Sequence, residues 1–408
     1  MHTPLYLDTS SAVDGFLETI AEARTLALDT EGASFHRFVD RIYLLQLSTR
    51  DKTAIIDPLP IGTPLRLGQA LESPDVQIVF HDADYDLRLL QQDYGWQVRN
   101  IFDTRIAAQL LGLRAFGLAA LLDRYFGVKL DKKHQRADWS MRPLSQGMLD
   151  YAAQDTIHLL ELRDRLEADL DRAGRLGWAH EEFALLEGTR WPDDDSANAF
   201  LRVKGARDLT RRELAVLREL VPWRDSIASQ LDRATFRVIG NEQLLEVARQ
   251  QPATRELLAA IKGMPRGLLE ARGGELLDAV RRGQAVSESE LPRFPKAPRW
   301  DRDPEFDARV SALKTVRDAT ATRLDLDPGV LCARDRLEAV ARKNPTTRDE
   351  LAQVAELRRW QAAVLGEDFL KALANHRGAG SAPAAPPPRA PRAARSDDDS
   401  PYSDYKPM

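Results

Sequence analysis

The sequence is poor in cysteine and has no long apolar run, and both shortages restrict its class. Cys332 is the single cysteine among 408 residues, which excludes an internal disulfide framework and any cluster of thiolate metal ligands. A metal site must therefore use oxygen or nitrogen ligands. No run approaches the roughly 18 apolar residues that a membrane helix needs, and no basic stretch leads into an apolar core near the N-terminus. We therefore expect a protein of the cytoplasm.

A surplus of basic residues is also missing. Lysines and arginines number 58 against 63 aspartates and glutamates, which gives a net charge of -5 at pH 7, whereas nucleic-acid-binding proteins often carry a positive surplus. Basic faces remain possible because arginines cluster in residues 202–212 and 334–348. A phosphate-binding loop of the Gly-x-x-x-x-Gly-Lys-Ser/Thr type is absent too, which argues against a helicase.

The first half of the chain alternates short apolar runs with amphipathic segments. The run lengths predict strands at residues 26–29, 42–48, 53–57 and 76–81. Helical periodicity predicts helices at residues 85–94, 104–111, 118–126 and 149–170. The alternation indicates an α/β domain built on a mixed sheet.

The second half contains an internal repeat and almost no strand signals. Residues 244–256 reappear as residues 337–349, which lie 93 positions further on. The same offset aligns Arg224-Asp225 with Arg317-Asp318 without a gap. We therefore expect two tandem copies of one helical module. The final residues, 378–408, are rich first in Ala, Pro and Arg and then in Asp and Ser, which predicts a disordered tail.

Two carboxylates stand at the end of the first predicted strand. Asp29 and Glu31 are two residues apart, so the period of a strand sends both side chains to one face. Such a pair is suited to a hard cation. An Asp-x-Glu triplet is weak evidence by itself, because an acidic chain contains several by chance.

Two further segments carry acidic side chains that belong to the same hypothesis. Asp86 lies in the first turn of the helix after the strand at residues 76–81, where an acid also complements the helix dipole. Tyr151 and Asp155 are four residues apart, so a helix places the phenol and the carboxylate on one face. Each has an ordinary structural interpretation, but four carboxylates and a phenol in one domain match the needs of two-metal phosphodiester cleavage.

The motifs around these residues resemble one enzyme family. Residues 28–32 (Leu-Asp-Thr-Glu-Gly), 81–90 and 149–156 are similar to the three motifs of the ribonuclease D family, in the tyrosine subclass of exonucleases named for four Asp-Glu-Asp-Asp carboxylates. Residues 130–144 also resemble a stretch characteristic of that family. The repeats resemble paired HRDC domains, which are small helical bundles, and the second copy departs further from the pattern.

The resemblance implies a fold, a division into domains and an activity. The fold is an α/β ribonuclease H-like exonuclease domain, with a mixed sheet flanked by helices, followed by two all-α HRDC helical bundles. The predicted bounds are 1–188 for the exonuclease domain, 189–204 for a linker, 205–286 for the first HRDC domain, 287–302 for a second linker, 303–377 for an HRDC-like domain and 378–408 for the tail. The implied activity is 3′–5′ hydrolysis of RNA, which releases nucleoside 5′-monophosphates, with tRNA precursors as the substrate. Because the domain count already gives one chain several RNA-binding surfaces, we expect a monomer.

The resemblance also implies roles for individual residues. Asp29 bridges two divalent ions, Mg²⁺ or Mn²⁺, while Glu31 and Asp155 complete the ion on the nucleophile side. Asp86 supports the other ion through water, and Tyr151 orients the attacking water.

Three residues are weaker candidates for substrate contact. Trp139 is a candidate for stacking and Arg142 for phosphate pairing, against the alternatives of a buried anchor and a surface cation. His81 is a candidate for approaching phosphate, against a structural histidine. Two other functions stay open at this point, a DNA exonuclease in repair and an inactive RNA-binding protein that keeps the fold.

Overall fold

A computed structural model of the chain describes residues 4–131, 133–192, 195–295, 303 and 305–376. The predicted tail lies outside the described residues, as do parts of both predicted linkers. None of the helices in the described ranges combines the length and the apolar character that crossing a bilayer requires.

A mixed sheet forms the centre of the first half. In the described residues its strands are β1 (Leu5–Leu7), β2 (Thr25–Glu31), β3 (Leu44–Ser48), β4 (Thr53–Ile56), β5 (Gln77–Phe80) and β6 (Ile101–Asp103). The order across the sheet is β1-β4-β3-β2-β5-β6. Strand β3 runs antiparallel to its neighbours β2 and β4, and the other pairs are parallel. The prediction of a mixed sheet is confirmed.

Helices cover both faces of this sheet. They are α1 (Ser10–Thr19), α2 (Pro58–Ile61), α3 (Leu65–Leu71), α4 (Asp84–Tyr94), α5 (Thr104–Leu110), α6 (Leu118–Phe126), α7 (Gln146–Ile157), α8 (Leu159–Arg172) and α9 (Leu176–Leu186). On one face, Leu28 and Leu45 pack with α1, α3 and α4. On the other face, Ala27 packs with α5, α6, α8 and α9, and Leu44 packs with α7. Strands β2 to β4 are therefore central strands, buried on both sides.

The single helix predicted at residues 149–170 is wrong, because α7 ends at Ile157 and α8 begins at Leu159. Thr156 lies at the break, and its hydroxyl contacts the Ser48 hydroxyl at 2.8 Å and donates to the carbonyl of Ala153 at 3.5 Å. A threonine that bonds back to the preceding turn bends a helix. The break lets α7 pack on β2, β3 and β4 while α8 packs on β2 and β5.

The second half consists of two helical modules. The first module contains α10 (Arg211–Leu231), α11 (Thr235–Val238), α12 (Asn241–Gln250), α13 (Arg255–Ala260) and α14 (Arg266–Ala285); the second contains α15 (Phe306–Leu324), α16 (Pro328–Leu331), α17 (Arg334–Lys343), α18 (Arg348–Ala352) and α19 (Arg359–Asn375). Short 3₁₀ helices at Ser196–Arg202 and Ala206–Asp208 precede the first module. The second and third helices of each module begin and end 93 positions apart, as the repeat predicts.

The second module packs tightly against the α/β half. The indole rings of Trp178 and Trp360 stack with centroids 4.7 Å apart and planes 14° apart. The Nε1 of Trp360 donates to Glu182 at 2.9 Å, and Arg175 donates to the carbonyl of Leu324 at 2.6 Å. Apolar residues of α5, α8 and the second module belong to one continuous cluster. This module therefore completes the core of the α/β half.

Candidate active site

Three of the predicted carboxylates converge at one edge of the sheet. Asp29 and Glu31 end β2, and Asp155 lies on α7, which covers the same face. Each of the three offers an oxygen atom, and these atoms all lie within 4.8 Å of one another. The sequence spacing thus brings two acids to one side of a strand, and packing of α7 supplies the third.

Asp86 approaches from α4 on the opposite face of the sheet. It is hydrogen-bonded to Thr30, which lies between Asp29 and Glu31 in β2. Its Oδ1 accepts hydrogen bonds from the Thr30 backbone N–H at 3.0 Å and from the Thr30 hydroxyl at 2.6 Å. Strand β5 ends at Phe80, level with Leu28, so no neighbouring strand offers a partner to the Thr30 N–H. The early end of β5 therefore opens the position that Asp86 occupies.

Thr30 is a functional residue that the sequence interpretation missed. Changing Thr30→Val removes the shorter of the two bonds to Asp86 while it keeps the shape of the side chain. We expect Mn²⁺ affinity to fall about 10-fold, since groups that orient metal-site carboxylates contribute on this scale, and a Mn²⁺ titration would measure it.

The matched control is Thr53→Val, which removes another buried hydroxyl of the same sheet, one that contacts Ser48. Equal Mn²⁺ affinity in both variants would show that Thr30 does not position Asp86 for metal binding.

The four carboxylates lie in surroundings that oppose their ionisation. Burial, and then the negative charge of Asp155, raise the pKa of Asp29 well above its usual value. Burial raises the pKa of Glu31 and of Asp86 in the same way, with neighbouring carboxylates adding to it, and raises the pKa of Asp155 to about 7. None of the ion pairs among the described residues involves any of the four. A cation bound among them would supply a counter-charge that the described ion pairs do not provide.

Tyr151 lies one helical turn before Asp155 and is half-buried. Burial, followed by the charges of Asp155, Glu31 and Asp29, raises the pKa of its phenol. The phenol therefore keeps its proton at neutral pH and can donate a hydrogen bond. The rings of His134 and Trp139 each lie 6.1 Å from its ring, centroid to centroid.

His81 follows β5 and contacts the buried hydroxyl of Thr104. That hydroxyl donates to the carbonyl of Phe80 at 3.0 Å, so it accepts from the His81 Nδ1–H at 2.9 Å. Burial, and then the charge of Arg105, lower the pKa of His81 to about 3. The imidazole is thus neutral at neutral pH and offers no positive charge to a phosphate, which favours the structural interpretation.

The lowered pKa of His81 has a consequence for stability. In the unfolded chain His81 is protonated near pH 6.5, whereas in the folded chain it is protonated only near pH 3. The free energy of unfolding therefore falls as the pH drops through this window. We expect His81→Asn to flatten the loss of melting temperature between pH 7 and pH 5, as followed by differential scanning fluorimetry. His180→Asn, at an exposed position, should keep the parent slope; a parent slope in both variants would contradict the assignment.

Trp139 and Arg142 lie beside α7 but make internal contacts. The Trp139 side chain is only 2% exposed and packs with Leu44, Ile55 and residues of α7. Arg142 pairs with the buried Asp57, donating from Nε at 2.5 Å and from Nη2 at 2.8 Å, and also donates to the carbonyls of Tyr43, Trp139 and Met141. These contacts favour an anchoring role for both residues over contact with substrate.

The first module borders the turn that follows Glu31. The rings of Phe35 and Phe236 lie 5.0 Å apart, and Arg237 donates to the carbonyl of Phe35 at 2.7 Å. A cleft of about 640 Å³ opens at this junction, and the side chains that line it include His36, Arg37, Asp138, Asp232, Arg233 and Arg237. The four carboxylates are not among the residues that line this cleft.

Comparisons with known proteins identify the domains of the chain. A family model described as 3′-5′ exonuclease matches residues 4–171, and one described as HRDC domain matches residues 213–280 and 306–373. Ribonuclease D of Gluconacetobacter diazotrophicus is 30% identical over 370 residues, which cover 90% of this chain and 92% of that protein.

Solved structures show the same likeness. The crystal structure of Escherichia coli RNase D, described as an exoribonuclease involved in structured RNA processing, matches with a TM-score of 0.69 and 25% identity, over 92% of this chain and 99% of that one. The catalytic core of RRP6 from Trypanosoma brucei matches with a TM-score of 0.62 and 30% identity, over 70% and 81% of the two chains. With its exonuclease domain, paired HRDC modules and clustered carboxylates, this chain belongs to the ribonuclease D family and is a 3′–5′ exoribonuclease.

Proposed function

We propose that this exoribonuclease removes nucleotides from the 3′ end of RNA at the site of Asp29, Glu31, Asp86 and Asp155, with two divalent cations. The observation that carries the proposal is the group of three carboxylates whose oxygen atoms lie within 4.8 Å of one another. When bound, the ions lower the pKa of the attacking water and stabilise the leaving oxygen. Asp29 would hold both ions, while Glu31 and Asp155 would hold the ion that activates the attacking water.

Asp86 has a separate task. Its Oδ1 is already engaged by Thr30, and it does not belong to the group of three. We therefore assign it to the second ion through water. Thr30 fixes the orientation of this carboxylate whether or not the site is loaded.

Tyr151 orients the attacking water. Its protonated phenol is one helical turn from Asp155 and is influenced by the charges of Glu31 and Asp29. A phenol that keeps its proton can donate to a water or to a phosphate oxygen without adding charge. Attack of water on phosphorus breaks the bond to the 3′ oxygen, so the released product is a nucleoside 5′-monophosphate.

The ligand chemistry favours Mg²⁺, with Mn²⁺ as a substitute. All the proposed ligands are carboxylate oxygens, and Mg²⁺ takes few carboxylates while it keeps waters and substrate phosphate oxygens in its shell. The ions also relieve the repulsion among the four acids, which fits the direction of their pKa shifts.

The substrate we propose is a tRNA precursor, and the working form is a monomer with the domain bounds given above. The Escherichia coli relative acts in structured RNA processing, which supports a folded RNA with a free 3′ end. The first module lies beside the turn after Glu31. It is therefore placed to contact an RNA strand whose 3′ end reaches the carboxylates.

Product analysis on RNA labelled at the 3′ or the 5′ end tests the function. We expect the full-length protein with Mg²⁺ to release the 3′ label at once as a mononucleotide, while the 5′ label moves through a ladder of shorter fragments. Omission of metal should stop both. Internal fragments at early times, or equal or faster cleavage of a DNA strand of matched sequence, would overturn the proposal.

A further inference from the structure

Gln46 occupies an unusual position next to the carboxylates. It lies in β3, where it pairs directly with Asp29 of β2 on one side and with Ile55 of β4 on the other. Directly paired residues of antiparallel strands project their side chains to the same face. The Gln46 side chain therefore lies on the face of Asp29 and Glu31, beneath α7.

The amide of Gln46 has no partner within the protein. The residue is fully buried, and neither its Oε1 nor its Nε2 has a hydrogen-bond partner among the described residues. A buried amide without partners costs free energy that an apolar side chain of similar size would not cost. The fold alone therefore gives no reason for glutamine at this position.

Neighbouring positions on the same face follow the usual rule. Leu44 and Ile55 are apolar and pack with α7. Ser48 is buried and polar, but its hydroxyl contacts both Thr53, at 2.9 Å, and Thr156, at 2.8 Å. Gln46 differs from Leu44, Ile55 and Ser48, because it is polar and neither polar atom of its amide has a partner among the described residues.

We propose that Gln46 is a positioning residue of the metal site, whose amide Nε2 donates a hydrogen bond to the Asp29 carboxylate when cations are bound. Paired Cβ atoms of antiparallel strands lie about 4.5–5.5 Å apart, and the glutamine side chain is long enough to span this distance. A neutral donor orients the ionised carboxylate without competing with the cation for it, as partners of metal ligands commonly do. The inference rests on the proposed metal site and names a further residue of it.

A second buried group points to the same region. The Nε1 of Trp139 also lacks a hydrogen-bond partner among the described residues, and its ring belongs to the cluster that contains Ile55, the cross-strand neighbour of Gln46. Unpartnered polar atoms thus gather between α7 and strands β3 and β4.

The variant Gln46→Leu separates positioning from packing, because the two roles predict opposite effects. We expect the full-length variant to bind Mn²⁺ about 10- to 100-fold more weakly in a titration followed by electron paramagnetic resonance. We expect its melting temperature without metal to equal or exceed that of the parent, since an unpartnered amide has been removed. Gln46→Met, which is unbranched, should behave in the same way.

The matched control is Trp223→Phe, which removes an unpartnered buried N–H in the first module and should leave Mn²⁺ affinity unchanged. Parent-like Mn²⁺ affinity in Gln46→Leu would overturn the inference. So would weaker binding together with a lower metal-free melting temperature in both variants at Gln46, because that pattern reports damaged packing. The variant Asp29→Asn separates the two proposals. If Asp29→Asn keeps the Mn²⁺ affinity of the parent, the proposed metal site is wrong. If Asp29→Asn loses affinity while the variants at Gln46 keep it, only the positioning role of Gln46 is wrong.

Discussion

Asp29→Asn is expected to reduce metal-dependent nucleotide release by a factor on the order of 1000 or more, since the loss of one charge-stabilising group in an active site already costs about 10²–10³. The asparagine keeps the size of the side chain but cannot supply the anionic oxygens that two ions share. Release of labelled mononucleotide under single-turnover conditions would measure the change. RNA binding, followed by filter retention, should remain close to that of the parent.

The same variant should unfold at a higher temperature than the parent when metal is absent. The pKa of Asp29 is raised in the folded protein, so ionisation near pH 7 opposes folding and a neutral side chain relieves it. Asp84→Asn is the control, because Asp84 lies in α4 near Asp86 but pairs with Arg88. Unchanged nucleotide release in Asp29→Asn would refute the assignment, whereas a lower melting temperature would indicate a folding defect instead.

Arg142→Ala is expected to lower the free energy of unfolding by about 3 kcal/mol, at the lower end of the range for breaking a buried ion pair because Arg142 is partly exposed. Asp57 is 2% exposed. Burial would raise its pKa, but hydrogen bonds from Arg142 and Tyr6 outweigh burial and lower it. Without the guanidinium, a buried carboxylate loses its counter-charge, and urea denaturation would measure the loss.

A double variant, Asp57→Asn with Arg142→Met, serves as the control for this prediction. It removes both charges together, so most of the lost stability should return. If Arg142 instead pairs with substrate phosphate, Arg142→Ala should raise the KM for RNA and leave the urea midpoint in place. That result would restore the substrate role that the sequence pattern indicated.

Much of the fold could be predicted because its signals are local. The apolar runs that became β2 to β5 are long enough to show a period, and the repeat fixed the equivalence of the two modules. Strands β1 and β6 were missed because each has only three residues. The break at His158 was missed because it depends on Thr156 contacting Ser48, which no local pattern contains.

The candidate site likewise contains residues that local patterns predicted and residues that they did not. Asp29 and Glu31 could be assigned to one face from strand geometry, and Tyr151 and Asp155 from helix geometry. The roles of Thr30 and Gln46 depend on pairing between distant segments, Thr30 with Asp86 and Gln46 with Asp29.

The two modules meet the exonuclease half through the same corner. Asp232 ends α10 and Asp325 ends α15, both in the left-handed conformation, with φ of 44° and 50°. The first pairs with Arg37 at 3.1 Å and the second with Arg114 at 3.2 Å. The repeat places an aspartate at the same helix end in both modules, and each aspartate pairs with a different arginine of the exonuclease half. One module borders the turn after Glu31 while the other completes the core, so one helix end serves two unrelated surfaces.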